Sequence, residues 1–232
     1  MTSAPTLTVR RVTTTRAGGF SAPPYESFNL GDHVGDDPAT VRRNRDRLAA
    51  GIGLTPDRLV WMEQIHSRNV EIIDGPRAEP VPATDALVTN VPGLALVVLT
   101  ADCVPLLLSD DEAGVLAAVH AGRIGARIGI VPRVLDAMLS LGAQVERIGA
   151  FLGPAASGRQ YEVPAAMRAD VEAHLPGSAT TTARRRSTCA PESAGSSPKP
   201  GSARSRSTRA APSRTTPCSV TAAAPPRGGW AA

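Results

Sequence analysis

The chain of 232 residues contains few residues of the kinds that define several large classes of protein. Its three cysteines are too few, and odd in number, for the disulfide framework of a small secreted protein. No stretch approaches the roughly 18 consecutive apolar residues of a membrane span, and the first residues lack the apolar core of a secretion signal. We therefore expect a cytoplasmic protein with no membrane partner.

The last quarter of the sequence has almost no negative charge. Residues 1–178 carry 16 basic and 20 acidic side chains, whereas residues 179–232 carry nine basic side chains and one acidic residue, Glu192. The net positive charge of +4 thus originates in this tail. Basic tails can be nucleic-acid-binding arms. The body of the chain is acidic and the tail has another explanation, given below, so we expect no nucleic-acid partner.

Residues 1–178 alternate between strand-like and helix-like apolar patterns, which predicts a single α/β domain with a mixed sheet. The runs at 94–103 and 114–122 are apolar on both faces, as buried central strands are. Asp37 and Pro38 predict the start of the first helix. The predicted strands are 7–12, 59–66, 85–90, 94–103, 114–122 and 147–154, and the other predicted helices are 129–141 and 164–175.

The composition changes after residue 178. Residues 179–232 contain only Val220 and Trp230 from the large apolar set, among many Ser, Thr, Ala, Arg and Pro. Such a segment cannot bury enough apolar surface to offset its ordering entropy. We predict a low-complexity basic tail that is disordered.

His66, Cys103 and His120 each lie at the end of a predicted strand, where α/β proteins expose functional groups. Two imidazoles and one thiolate suit zinc, and three protein ligands leave a fourth position open, as in catalytic sites. Each residue taken alone is more typical of a buried small side chain or a structural histidine. Together they predict a catalytic zinc site.

Four short motifs surround these residues and follow one another along the chain. They are Gln64-Ile65-His66-Ser67, Thr84-Asp85-Ala86, Ala101-Asp102-Cys103-Val104-Pro105 and Ala118-Val119-His120-Ala121-Gly122. They resemble those of the laccase-domain family, which is also called polyphenol oxidase, purine nucleoside phosphorylase and peptidoglycan editing factor. The N-terminal block around Asn29-Leu30-Gly31 and the later Gly153-Pro154 are similar to this family as well, in the same order.

The resemblance implies a layered α/β/β/α sandwich with mixed sheets, and His66, Cys103 and His120 as the metal ligands. It implies phosphorolysis of adenosine, inosine, guanosine or methylthioadenosine, with adenosine deamination as a side activity. Asp102 is a candidate catalytic acid or base, or a residue that supports the metal ligands. By motif position, the candidate substrate-binding residues are Asn29, Asn44, Arg45, Gln64 and Arg123. Arg123 departs from the family pattern, in which Trp-Arg-Gly follows His-Ala-Gly.

Other activities stay open beside a zinc-dependent nucleoside enzyme. The chain has four histidines, too few for a multicopper oxidase, which needs a second, histidine-rich copper cluster. Copper binding in vitro is nevertheless expected, because Cu(II) outcompetes zinc at most nitrogen and sulfur ligands. A hydrolase that edits peptidoglycan precursors and an inactive remnant are the alternatives. The oligomeric state cannot be read from these residues, and we expect a monomer.

The tail has the properties of a shifted reading frame. The resemblance implies a C-terminal helix, a Cys-Thr pair and a Phe-Ser-x-Arg-Arg segment, which the sequence lacks. Read one frame over, residues 187–193 permit Asp-Leu-Arg-Ala-Gly-Val, and residues 208–223 permit a run that contains Cys-Thr and Phe-Ser-His-Arg-Arg. We therefore interpret the segment after about residue 180 as a frameshift product. A genuine basic arm is the alternative.

Overall fold

In a computed structural model of the chain, residues 8–158, 161–178 and 218–224 are described, and the last range only as backbone. These residues form nine β-strands and four α-helices. The strands are β1 (Thr8–Thr13), β2 (Leu59–Val60), β3 (Val70–Ile72), β4 (Ala86–Thr89), β5 (Ala95–Leu99), β6 (Val104–Asp110), β7 (Val115–Ala121), β8 (Gly149–Leu152) and β9 (Cys218–Ala224). The helices are α1 (Pro38–Ile52), α2 (Arg123–Arg127), α3 (Ile130–Ser140) and α4 (Ala165–His174).

The strands form two mixed sheets. The first sheet has the order β1-β9-β5-β2, and the second has the order β3-β4-β7-β6-β8. The pairs β2–β5 and β3–β4 are parallel, and the remaining neighbours are antiparallel. The predicted mixed-sheet α/β architecture is confirmed, and β7 is the central strand of the second sheet, as its apolar sequence predicts.

The main core lies between the two sheets. Successive side chains of a strand point to opposite faces. On β5, Leu96 and Val98 therefore point toward the second sheet, where they join Leu116 and Ala118 of β7 in one buried cluster. Their apolar surface is removed from water on both sides, and this burial is the main force that holds the sheets together.

The alternate residues of the same strands pack against helices on the outer faces. Ala95 and Val97 of β5 lie in a cluster with Leu48 of α1. Val119 of β7 lies in another cluster with Val134 of α3. The order of layers is therefore helix, sheet, sheet, helix, which is the predicted α/β/β/α sandwich.

Helix α1 begins at the residues that its sequence predicts. The Asp37 carboxylate accepts hydrogen bonds from the Thr40 backbone N–H at 2.8 Å and from the Thr40 hydroxyl at 2.7 Å, and Pro38 occupies the first turn. Gly53 closes the helix in a left-handed conformation, with φ of 75°. These local signals fix the helix that supports one wall of the site described below.

Two predicted strands are shorter in the structure. The 59–66 strand ends at Val60 as β2, and the 94–103 strand ends at Leu99 as β5. Beyond these points Gln64 takes the place of a strand partner, because its side chain bonds both the N–H and the C=O of Leu99, at 2.8 and 2.6 Å.

Three elements of the structure were not predicted from the sequence. Strand β3 and helix α2 are too short to show a periodic pattern. Strand β6 follows the predicted 94–103 strand without a turn signal between them, so the sequence does not mark it as a separate strand.

Residues 218–224 differ from the prediction of a disordered tail. Strand β9 pairs antiparallel with β1 on one side and with β5 on the other. Backbone pairing between two open strand edges does not require large apolar side chains, which explains how a segment of mostly small residues forms a strand here. Residues 179–217 and 225–232 lie outside the described residues.

None of the helices in the described ranges combines the length and apolarity that a bilayer crossing requires.

Candidate metal centre

His66, Cys103 and His120 meet at one edge of the second sheet. His120 lies near the end of β7, and Cys103 lies directly before β6. Because these strands are antiparallel neighbours, with Val104 opposite Ala121, the start of one lies beside the end of the other. His66 reaches the same edge from the loop between β2 and β3. The chain thus supplies the three side chains from separate segments.

The distances between the three side chains suit a single small metal ion. One nitrogen of each histidine and the Cys103 sulfur all lie within 4.8 Å of one another, and the Cys103 Sγ is 3.8 Å from the His66 Nε2. Ligands arranged tetrahedrally around zinc, at about 2.0–2.3 Å from it, are separated by about 3.5 Å. The His66 and His120 rings meet edge to face with centroids 4.7 Å apart. The donor set therefore fits a metal with three protein ligands and one open position.

Gly122 provides the space that the three side chains need. A Cβ atom at this position would lie 2.9 Å from the His66 ring, 3.2 Å from the Cys103 sulfur and 3.6 Å from the His120 ring. The first of these distances is shorter than carbon atoms tolerate without displacement. Glycine is therefore required here by close packing, which gives the His-Ala-Gly sequence a physical meaning.

Asp85 connects two of these segments and is absent from the sequence-predicted site. Its side chain is fully buried directly before β4. The carboxylate lies 2.8 Å from the His120 Nδ1, and it accepts hydrogen bonds from the backbone N–H groups of His66 at 2.9 Å and Ser67 at 2.6 Å. Burial raises the pKa of Asp85, but the hydrogen bonds from His120 and Ser67 outweigh it and lower the pKa to about 2. An acidic residue inside an apolar segment, in the Thr84-Asp85-Ala86 motif, is the sequence signal that could have identified it.

His120 is the buried member of the group, and its side chain is only 4% exposed. Burial lowers the pKa of His120, whereas the hydrogen bond to Asp85 and the neighbouring Cys103 sulfur raise it, with a net result of about 9. Metal binding to histidine and cysteine requires a neutral imidazole and a thiolate, so we expect it to be accompanied by proton release.

A cavity of about 460 Å³ opens beside the three side chains. Its volume lies in the range of small-molecule sites, and its wall combines apolar surface with a few polar groups, as such sites do. Besides His66, Cys103 and His120, the cavity is lined by Arg16, Tyr25, Glu26, Phe28, Asn29, Leu30, Gly31, His33, Val34, Gln64, Leu99, Thr100, Ala101 and Asp102.

Two of the predicted substrate-binding residues, Asn29 and Gln64, line this cavity. The Asn29 amide donates to the Gly31 carbonyl at 3.0 Å and to the Asp36 carboxylate at 2.9 Å. The Gln64 amide is engaged with the backbone of Leu99. Both side chains therefore hold the cavity wall in place by contacts within the protein.

Asn44 and Arg45 lie behind the wall, on α1. The buried Asn44 donates to the Asn29 carbonyl at 2.8 Å and accepts from the Phe20 N–H at 2.9 Å. Arg45 donates to the Leu30 carbonyl at 3.0 Å and stacks on the Trp61 ring at 4.0 Å. These contacts attach the cavity wall to the helix.

Asp102 and Arg123 have different positions. Asp102 is exposed, lines the cavity and directly precedes Cys103. Arg123 begins α2 and is not among the cavity-lining residues. The pKa of Asp170, on α4, is lowered mainly by the hydrogen bond from Arg127, and the positive charge of Arg123 makes a smaller contribution in the same direction. Arg16, which the sequence analysis did not select, is the arginine that lines the cavity among the described residues. Its guanidinium donates to the Glu26 carbonyl at 3.3 and 3.4 Å.

Comparison with known proteins identifies the family. The model of the family described as multi-copper polyphenol oxidoreductase laccase matches residues 10–194. The chain belongs to this family. The resemblance that the sequence motifs indicate is thereby confirmed.

The chain is similar to bacterial proteins that carry the name purine nucleoside phosphorylase. The protein from Mycobacterium tuberculosis is 66% identical over 175 residues, which cover 75% of this chain and 70% of that protein. The protein from Corynebacterium glutamicum is 63% identical over 178 residues, which cover 76% and 72%. The matches leave 30% and 28% of the two relatives uncovered.

Solved structures of the family share the fold. The hypothetical protein YfiH of Bacillus licheniformis superposes with a TM-score of 0.69 at 31% identity, and the match covers 75% of this chain and 71% of that one. YlmD of Geobacillus stearothermophilus superposes with a TM-score of 0.69 at 30% identity, and the match covers 74% and 67%.

Proposed function

We propose that the chain is a cytoplasmic, monomeric, zinc-dependent purine nucleoside phosphorylase that acts on adenosine, inosine, guanosine and methylthioadenosine. The observation that carries the proposal is the His66–Cys103–His120 cluster at the wall of a cavity of nucleoside size. The names of the relatives support the reaction class. We propose adenosine deamination as a side activity at the same site.

His66, Cys103 and His120 would hold the zinc, which supplies a Lewis acid with one open position for a phosphate or water oxygen. We propose Arg16 as a phosphate-binding arginine in addition to Arg123, because Arg16 is a residue of the cavity wall. The apolar wall that includes Phe28 and Leu99 suits the flat face of a purine.

Asp102 is the proposed general acid. In phosphorolysis a phosphate oxygen forms a bond to the ribose C1′ while the bond from C1′ to the base nitrogen breaks. The electron pair of that bond goes to the base, which takes the proton that the attacking hydrogen phosphate releases, and Asp102 is placed to relay this proton. Because Asp102 lies at the cavity wall beside Cys103, the proton donor and the anion-binding groups face the same space.

The test is phosphate-dependent release of adenine from adenosine by the zinc-loaded full chain, with ribose 1-phosphate measured as the second product. His120→Ala is expected to lose both zinc and turnover. The matched control is His174→Ala, because His174 is a partly exposed histidine on α4, outside the cavity. Zinc-loaded protein that releases no base, but cleaves peptidoglycan precursors, would refute the phosphorylase and favour the editing hydrolase.

We also propose that the residues after about 180 are translated from a shifted reading frame. The Cys-Thr and Phe-Ser-His-Arg-Arg runs that the alternative frame permits support this proposal. Sequencing the gene across codons 175–190 tests it. A single-base correction that restores both runs is expected, whereas an unchanged sequence would mean that the tail is genuine.

A further inference from the structure

We propose that Asp85 is the positioning residue of the metal centre, because one carboxylate fixes the orientation of His66 and His120 at the same time. The inference rests on the metal-binding part of the proposed function. It assigns to Asp85 a role that the ligand side chains cannot provide, since they come from separate segments of the chain.

On the His120 side, Asp85 determines which ring nitrogen is available. The Asp85 Oδ1 atom lies 2.8 Å from the His120 Nδ1. The carboxylate therefore accepts a hydrogen bond from Nδ1–H and leaves Nε2 for the metal, an arrangement that fixes both the ring orientation and the tautomer. The backbone is tied as well, because the His120 N–H donates to the Asp85 carbonyl at 2.8 Å.

On the His66 side, Asp85 shapes the loop that carries the ligand. The N–H groups of the consecutive residues Ile65, His66 and Ser67 converge on its carboxylate at 3.3, 2.9 and 2.6 Å, and the Ser67 hydroxyl donates to it at 2.7 Å. Successive N–H groups that point into one concavity form an anion-binding nest. The anion in this nest is a side chain of the protein itself.

The backbone of His66 indicates that the loop needs this anion. His66 has a φ of 62°, in the left-handed region that is unfavourable for a residue with a side chain. Such a conformation persists where surrounding contacts determine it, and at this point those contacts end on Asp85. Without the carboxylate, the N–H groups would lose their shared acceptor and His66 would turn away from Cys103 and His120.

Asp110 offers a matched comparison within the same sheet. Its side chain is also fully buried, and it accepts hydrogen bonds from the Gln144 N–H at 2.9 Å, the Ala113 N–H at 3.1 Å and the Arg147 guanidinium. Asp110 is the last residue of β6, whereas Cys103 directly precedes the first residue of that strand, and none of the hydrogen bonds of Asp110 reaches a candidate metal ligand. The two aspartates thus share burial and bonding but differ in their neighbours.

The experiment is titration of the metal-free full chain with Co(II), whose absorption bands report thiolate ligation and coordination geometry. Asp85→Asn is expected to weaken Co(II) binding by about 10–100-fold, as the loss of a group that orients a ligand does, and to change the bands. Asp85→Glu, which keeps the charge but moves the carboxylate, is expected to change the same bands. Asp110→Asn is expected to melt at a lower temperature and to keep wild-type affinity and bands.

Wild-type Co(II) affinity and bands in Asp85→Asn would overturn the inference. Failure of both Asp85 variants to fold, under conditions in which Asp110→Asn folds, would overturn it too, because the carboxylate would then serve the fold before any metal is bound. A wild-type chain that binds no Co(II) would instead refute the metal-dependent function itself, so the two failures are distinguishable.

Discussion

At the scale of single residues, the candidate site depends on the missing side chain of Gly122 as well as on the three candidate ligands. Gly122 has no side chain at the point where His66, Cys103 and His120 approach one another most closely. Interiors are packed densely enough that one added carbon atom must displace its neighbours. Here the neighbours are the candidate ligands.

Gly122→Ala is therefore expected to lower zinc affinity at least about 10-fold, by analogy with other changes that misplace ligands. The measurement is competition with a chromophoric chelator. Gly51→Ala is the control, because a Cβ at Gly51 has nothing within 4 Å and alanine is the better helix former. Equal zinc affinity in the Gly122 variant and the wild type would show that a Cβ atom at position 122 fits beside the three side chains without displacing them.

Asp110 predicts a pH dependence that does not involve the metal. The hydrogen bond from Arg147 is the largest of the effects that hold the pKa of Asp110 below its ordinary value of 3.8. A carboxylate with a lowered pKa in the folded state stabilises the protein above its ordinary pKa, and this stabilisation is lost as the pH falls below it. The wild type is thus expected to exceed Asp110→Asn in free energy of unfolding at neutral pH, and by less at about pH 3. A difference that stays constant between the two pH values, in urea denaturation, would contradict this assignment.

The sequence predicts part of the site for physical reasons that can be stated. His66, Cys103 and His120 stand out because histidine and cysteine are rare here and lie beside apolar runs. The Thr84-Asp85-Ala86 motif marks Asp85, but its role arises from three N–H groups that only the folded loop brings together. Substrate binding by Asn44 and Arg45 stays a prediction, and the structure adds that both side chains bond the backbone of the cavity wall.

At the scale of elements, α1 supports the cavity wall through one buried amide. Asn44 bonds Phe20, Ser21, Ser27 and Asn29, which all belong to the segment before the helix. This segment has no strand or helix of its own between β1 and α1. Its shape is therefore set by side chains of the neighbouring helix.

Asn44→Ala is expected to lower the free energy of unfolding by roughly 1–3 kcal/mol, because it leaves buried polar groups without partners. It should raise KM for the nucleoside more than it lowers kcat, and leave zinc affinity unchanged. Arg42→Ala, at an exposed position of the same helix, is the control for helix composition. A large fall in kcat with unchanged KM would mean that Asn44 acts on the reaction and not on the wall.

The elements that the sequence predicts best are those with long, regular patterns. Helices α1 and α3 and strand β7 lie within a few residues of their predicted positions, because capping residues and apolar periodicity determine them locally. The 59–66 strand was predicted too long, because Gln64 and Asp85 redirect its second half through contacts distant in sequence. Local patterns cannot contain such information.

At the scale of the whole molecule, the second sheet ends in an apolar edge. All residues of β8 are exposed, including Phe151 and Leu152, and within the described ranges the outer side of β8 has no partner strand. Helix α4, which follows β8, has no buried residue. Exposed apolar edges of this kind promote pairing between molecules.

Leu152→Lys is therefore expected to reduce self-association at high protein concentration, as measured by sedimentation velocity. The lysine places a charge on the edge that a second strand would have to approach. Leu139→Lys is the control, since Leu139 is also exposed but lies on α3. Self-association that responds equally to both substitutions would point to general hydrophobicity and not to the strand edge.

The two sheets differ in how the chain reaches them. Strands β3 to β8, apart from β5, form the second sheet from one stretch of chain, residues 70–152, whereas the first sheet joins strands from both ends of the described chain. On the ribosome, the second sheet and every residue of the metal cluster emerge before β9 is synthesised. The whole metal cluster is therefore encoded upstream of the segment that completes the first sheet. A genetic lesion downstream of the cluster would leave in the cell a product that still carries all three candidate ligands and competes for the common pool of zinc.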